Sequence, residues 1–138
     1  MNDHIKLVIP CKPEYVSTVR LMVSSVASRA GFNIEAIEDM KVAVSEACTN
    51  IINHSKLCGE DEYRVMCTRG TDRMEILVED DGVGFDAVGR PEVEQGKISE
   101  SGLGIFIIKA LMDEAEVLSE EGCGTRFLMA KYLTVGEE

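Results

Sequence analysis

Val44-Ser45-Glu46-Ala47-Cys48-Thr49-Asn50 lies inside a longer run in which Ile37, Met40, Val44, Ala47 and Ile51 recur at intervals of three and four residues. That period predicts a helix beginning after Asn33, with the apolar stripe as its buried face. At roughly 100° per residue, Glu46 and Asn50 stand about 40° apart and more than about 100° from the centre of the stripe. His54 continues the same side one turn later. Glu46, Asn50 and His54 therefore form a polar ridge on a helix whose other side is core. A solvated helix face would carry the same residues. The ridge gains meaning only from what the rest of the chain brings to it.

Outward from this helix, residues 5–9 alternate in a strand-like way. Pro10 and Pro13 then punctuate the entry to a helix reaching about Ala30, where Gly31 supplies a stop. On the other side, residues 63–69 and 74–79 are β-prone and are separated by Gly70-Thr71-Asp72, a turn that makes them an antiparallel hairpin. Residues 86–101 are polar and contain Gly89, Pro91 and Gly96, a loop long enough to read as a lid. Residues 103–112 are apolar almost all round, as in a helix covered on most sides. Two strands follow at about 115–119 and 125–133, turning at Gly122-Cys123-Gly124. The expected fold is an α+β two-layer sandwich with helices on one face of a mixed, mainly antiparallel sheet.

Glu79-Asp80-Asp81-Gly82-Val83-Gly84-Phe85 sets acids and two glycines directly after a strand, where backbone can approach a ligand while a carboxylate accepts hydrogen bonds. A simple turn would read the same way. An EF-hand is excluded, since the alternating acids are missing before Gly82 and Val88 stands where the bidentate Glu belongs. A dinucleotide fingerprint is excluded because Gly82, Gly84 and Ala87 open no helix. Ser101-Gly102-Leu103-Gly104 does open one, and the unpaired N–H groups and dipole there favour a phosphate, although a flexible N-cap has the same composition. Gly96-Lys97 is no Walker A motif, because Pro91 occupies the place of its first glycine.

The totals bound the rest. A chain of 138 residues, 45% hydrophobic, has the size of one domain, taken here as 1–138. No apolar run approaches the roughly 20 residues of a membrane span, and no signal sequence is evident, so the expected location is the cytoplasm. A formal charge of −11 opposes both nucleic-acid backbones and anionic membranes while leaving a basic protein partner open. Five cysteines without CxxC spacing suggest packed, reduced thiols rather than a disulfide framework or a zinc site. The sequon Asn53-His54-Ser55 sits at the end of a predicted helix in a chain without a secretion signal and is set aside.

Taken in order, Glu46-x-x-x-Asn50, Asp80-x-Gly82-x-Gly84, Gly102-x-Gly104 and Gly124-Thr125 resemble the boxes of the GHKL (Bergerat-fold) ATP-binding family. The stretch from Pro13-Glu14-Tyr15-Val16 to Asn50, and that from Gly102 through Leu111-Met112-Asp113-Glu114, are similar to the anti-sigma serine kinases of the RsbW and SpoIIAB type. The resemblance covers nearly the whole chain.

This resemblance implies ATP and Mg²⁺ as cofactors. It makes Asn50 the Mg²⁺ ligand, Glu46 the catalytic base for a substrate serine and Asp80 the acceptor of the adenine amino group. Gly82 and Gly84 would pass against the nucleotide, Gly102, Leu103 and Gly104 would cradle phosphate, and Thr125 would assist adenine recognition. The implied partners are a sigma factor, a STAS-domain anti-anti-sigma protein and a second copy in a homodimer; Arg20 falls where family members meet partners. Arg90 and Lys97 are the lid's cations and read as solvated charges. His54-Ser55-Lys56-Leu57-Cys58 departs from the usual residues after the ridge His. The other readings are a nucleotide-gated anti-sigma module without kinase activity and a detached histidine-kinase ATPase domain, the latter disfavoured because no phosphoacceptor helical hairpin is present. Gyrase-like ATPases carry transducer domains that this chain lacks.

Overall fold

The computed structural model describes residues 2–58, 62–80, 100–120 and 124–133. Strand β1 (Asp3–Pro10) leads through a 3-10 turn at Pro13–Tyr15 into α1 (Val16–Ala30), followed by α2 (Ile34–Cys58). The hairpin β2 (Glu62–Arg69) and β3 (Arg73–Glu79) comes next, then α3 (Glu100–Leu111), β4 (Glu114–Glu120) and β5 (Gly124–Tyr132). Each boundary has a local cause. Gly31 ends α1 with φ 102°, and Phe32 N–H reaches back to Ala27 O at 3.2 Å, a Schellman closure that also tucks the Phe32 ring into the core. Asn33 then caps α2, its Oδ1 accepting the Ala36 N–H at 2.8 Å.

The sheet order is β1-β2-β3-β5-β4, and every pairing is antiparallel, so the sheet expected to be mixed and mainly antiparallel carries no parallel pair among the described strands. The turn at Gly70 closes through its N–H to Arg73 O at 2.9 Å. Strand β5 inserts between β3 and β4, so the chain leaves β3, forms α3 over the sheet and returns one strand further out.

The core lies between the helices and one face of the sheet. Val19, Val23 and Val26 of α1 and Met40, Val44 and Ile51 of α2 meet Val65, Ile76 and Phe127 from the strands. Side chains alternate along each strand, and β3 reads buried at Met74, Ile76 and Val78 with partly exposed residues between them. Each fully buried aliphatic or aromatic side chain there contributes about 1.5–3 kcal/mol. The predicted stripe of α2 is the face that is buried, with Ile37 at its margin.

Candidate functional site

A short connection carries the chain from the end of α2 to the start of β2, and β2 begins opposite the end of β3, where Arg64 pairs with Glu79. The C-terminal half of α2 and the end of β3 are thereby held at the same end of the sandwich. That is the end where α3 starts and β5 begins.

Glu46, Thr49, Asn50 and Asn53 of α2 line a cavity of about 290 Å³ together with Leu103, Gly104 and Ile107 of α3. α3 passes close to α2 at Gly104: a Cβ added there would stand 2.9 Å from Glu46 Oε1, so any side chain at this position would displace that carboxylate. Glu46 is half-buried. Asn50 is 5% exposed, although an amphipathic helix viewed alone would leave it in water, and its Oδ1 has no hydrogen-bond partner. A buried amide oxygen without a partner is costly, by about 1–3 kcal/mol, unless something donates to it or it ligates a cation. The carbonyl chemistry of this oxygen suits Mg²⁺, a hard ion that takes one or two protein oxygens and fills its shell with phosphate and water. No group of three or more His, Cys, Asp or Glu side chains among the described residues makes a metal site of any other kind.

Asp80 and Thr125 form a second station. Both are buried, Thr125 N–H donates to Asp80 Oδ1 at 3.0 Å, and Asp80 N–H donates to Thr125 O at 3.0 Å. This reciprocal pair fixes the Asp80 carboxylate at the end of β3 by tying it to the first turnless residues of β5. Gly124 just before Thr125 has φ 90°, a backbone conformation that a side chain would strain.

Of the residues singled out in the sequence, Glu46, Asn50, Leu103 and Gly104 therefore share one cavity. Asp80 and Thr125 pair with each other, and Gly102 sits half-buried in the first turn of α3. Gly82, Gly84, Arg90, Lys97 and the lid as far as residue 99 lie outside the described residues, as does the side chain of His54; the last two lid residues, 100 and 101, belong to α3. The sequence reading missed Thr49, Asn53 and Ile107. Thr49 and Asn53 are one helical turn from Glu46 and Asn50, so the i, i+3 and i, i+4 rule contained them. Among the cysteines, Cys11, Cys48 and Cys67 form no disulfide. Burial in the core pushes the Cys48 and Cys67 thiols up to about 12, which keeps them protonated and unreactive.

The chain matches the histidine kinase-like ATPase domain over residues 9–131. It is 44% identical to the serine-protein kinase RsbW of Listeria monocytogenes serotype 4a, over 96% of this chain and 89% of that one. It is 40% identical to the serine-protein kinase RsbW of Bacillus cereus strain AH187, over 95% and 86% of the two chains. In fold it is similar to the crystal structure of the RsbU and RsbW domains of a Mycobacterium tuberculosis protein, with TM-score 0.71 at 18% identity, covering 94% of this chain and 31% of that longer one. Because the family match and relatives of this identity both run across nearly the whole sequence that builds the cavity, the chain belongs to the histidine-kinase-like (GHKL) ATPase family and, within it, to the RsbW group of ATP-dependent serine-protein kinases.

Proposed function

We propose that the protein is an anti-sigma factor and kinase that transfers the γ-phosphoryl group of ATP to a serine of a STAS-domain anti-anti-sigma protein, and that it otherwise binds and restrains an RNA polymerase sigma factor. The observation that carries this reading is the pairing of the Glu46 carboxylate, against the glycine at the start of α3, with the unpartnered Oδ1 of Asn50 one helical turn away.

In this reading Glu46 accepts the proton of the substrate serine hydroxyl as its oxygen bonds to the γ-phosphorus and the bond to the ADP oxygen breaks. For that task the half-buried carboxylate has to be held in position beside the serine hydroxyl. Asn50 Oδ1 is the protein ligand to Mg²⁺. When bound, the metal offsets the charge of the phosphate oxygens beside Glu46. Gly102, Leu103 and Gly104, near the start of α3, cradle phosphate where the helix dipole favours negative charge. Asp80 takes the adenine amino group with Thr125 beside it, and the family resemblance assigns Gly82 and Gly84 to the nucleotide as well. Arg20 is exposed on α1 beside the 72%-exposed Leu21, a pair suited to meeting a protein partner. The protein works as a homodimer in the cytoplasm, with the polymerase subunit it regulates. No helix among the described residues is long and apolar enough to cross a membrane.

The deciding experiment is transfer of labelled γ-phosphate to the cognate STAS-domain protein by the native chain and by Glu46→Gln. Serine labelling by the native chain, reduced about 100-fold or more in the variant with ATP affinity retained, is the expected result. Tight Mg-dependent ATP binding with no transfer by either form would instead identify a nucleotide-gated binding module.

A further inference from the structure

On the helix-facing side of β5, strand alternation brings Thr125, Phe127, Met129 and Lys131 into one line. The first three are buried, so the pattern calls for an apolar residue at the fourth place. A lysine stands there instead, its side chain only 15% exposed. Lys131 Nζ donates to Leu111 O, on the last residue of α3, at 2.6 Å, and to Asp39 Oδ2 of α2 at 3.4 Å. The chemistry proposed for the nucleotide end uses none of these groups.

Their places along the helices give the bridge its meaning. Asp39 precedes Glu46 on α2 by seven residues, and Leu111 follows Gly104 on α3 by seven. Seven residues fall about 20° short of two full turns and span about 10 Å, so each pair lies on one side of its helix. The two helices therefore run antiparallel along a seam with two points of contact. At one of them, Gly104 passes close to the Glu46 carboxylate. At the other, two turns away, Lys131 spans from Asp39 to the C-terminal carbonyl of α3. A cavity of about 260 Å³, lined in part by Ala36, Asp39, Asp113 and Lys131, opens beside the bridge, so apolar packing alone does not hold this end of the seam. The chain leaving α3 is also tied to β5: Asp113 N–H donates to Ala130 O at 3.0 Å, and Tyr132 N–H to Asp113 Oδ2 at 2.7 Å.

We propose that Lys131 is a positioning residue for phosphoryl transfer: by fixing the distance between the end of α3 and α2, it sets where Gly104 meets Glu46. This deepens the proposed function and rests on its assignment of Glu46 as the base. A buried ammonium is a poor means of stabilising a fold, since an apolar side chain of similar size often does as well or better. What the bridge supplies is a fixed length, with the cation at the negative pole of the α3 dipole. Misplacing a reacting group by about 1 Å can cost about 100-fold in rate, so a tie two turns from Glu46 reaches the chemistry.

The test is steady-state transfer of the γ-phosphate of ATP to the STAS-domain protein by the full chain, with melting temperature measured on the same samples. Lys131→Met keeps the length of the side chain and removes its charge. Its kcat is expected to fall about tenfold, with KM for the STAS-domain protein and melting temperature nearly unchanged. Lys131→Arg, for which the neighbouring cavity leaves room, should restore most of the loss. Asp39→Ala cuts the bridge at its more exposed end, should lower kcat in the same direction, and carries the test if Lys131→Met does not fold. Combined with Gly104→Ala, Lys131→Met should add little, because both changes disturb the same contact; losses that multiply overturn the route through Gly104. A native kcat in both bridge variants overturns the proposal, as does a loss that only follows the unfolded fraction. Glu46→Gln runs in parallel: transfer retained there overturns the base assignment itself, an outcome distinct from any of these.

Discussion

The geometry of this site turns on one missing side chain. Gly104 lies inside a helix, where glycine is less stable than alanine by about 1 kcal/mol, yet a Cβ there would press to 2.9 Å from Glu46 Oε1. Gly104→Ala should therefore leave the melting temperature unchanged or slightly raised while displacing the carboxylate. The expected outcome is a fall in kcat for serine phosphorylation of about tenfold or more; undiminished transfer would show that Glu46 needs no fixed position. Asn50 shows how much of such a site a sequence contains. Its residue type and its distance from Glu46 along the helix were legible, because both follow from the 3.6-residue period. Its burial was not, because the cover comes from α3, more than fifty residues later.

At the level of elements, the turn from α1 to α2 fixes where the site helix starts and hence which of its residues face the cavity. Gly31 holds φ 102° with open space where a Cβ would go, so a substitution there meets backbone strain and no clash. Gly31→Ala should lower stability by about 1 kcal/mol in urea unfolding, with ATP binding kept in the folded fraction. A neutral result would mean that the Schellman closure contributes little to holding α2. The hairpin and both helices were legible in sequence from this kind of punctuation: Gly31, Asn33 and the run at Gly70. The start of α3 was read one to three residues late, since the polar composition of Glu100 and Ser101 resembles the loop before them more than the apolar helix they begin.

Across the whole molecule, the buried thiols make stability depend on alkaline pH. Cys48 and Cys67 are pushed from an ordinary 9.0 to about 12 by burial, and burial beside Cys48 moves the Tyr63 phenol in the same direction. Above the ordinary thiol range the unfolded chain releases these protons and the folded chain keeps them. The native state then binds more protons, and stability falls as pH rises. The urea midpoint should therefore drop between about pH 8 and pH 10, with a shallower drop in Cys67→Val, which removes one of the titrating groups. A midpoint independent of pH over that range would exclude the linkage.

The sequence by itself determined the segments and their faces: the α2 stripe, the capped turn before it, the hairpin at Gly70 and the polar ridge of Glu46 and Asn50. These are properties of neighbours along the chain, and local periodicity and turn chemistry encode them. Only the tertiary structure decided that β5 enters between β3 and β4, which sets Thr125 against Asp80, and that α3 lies on α2 with Gly104 at Glu46. Those contacts join residues far apart in sequence. They are chosen by burying all the apolar faces at once, a condition no single stretch of the chain can express.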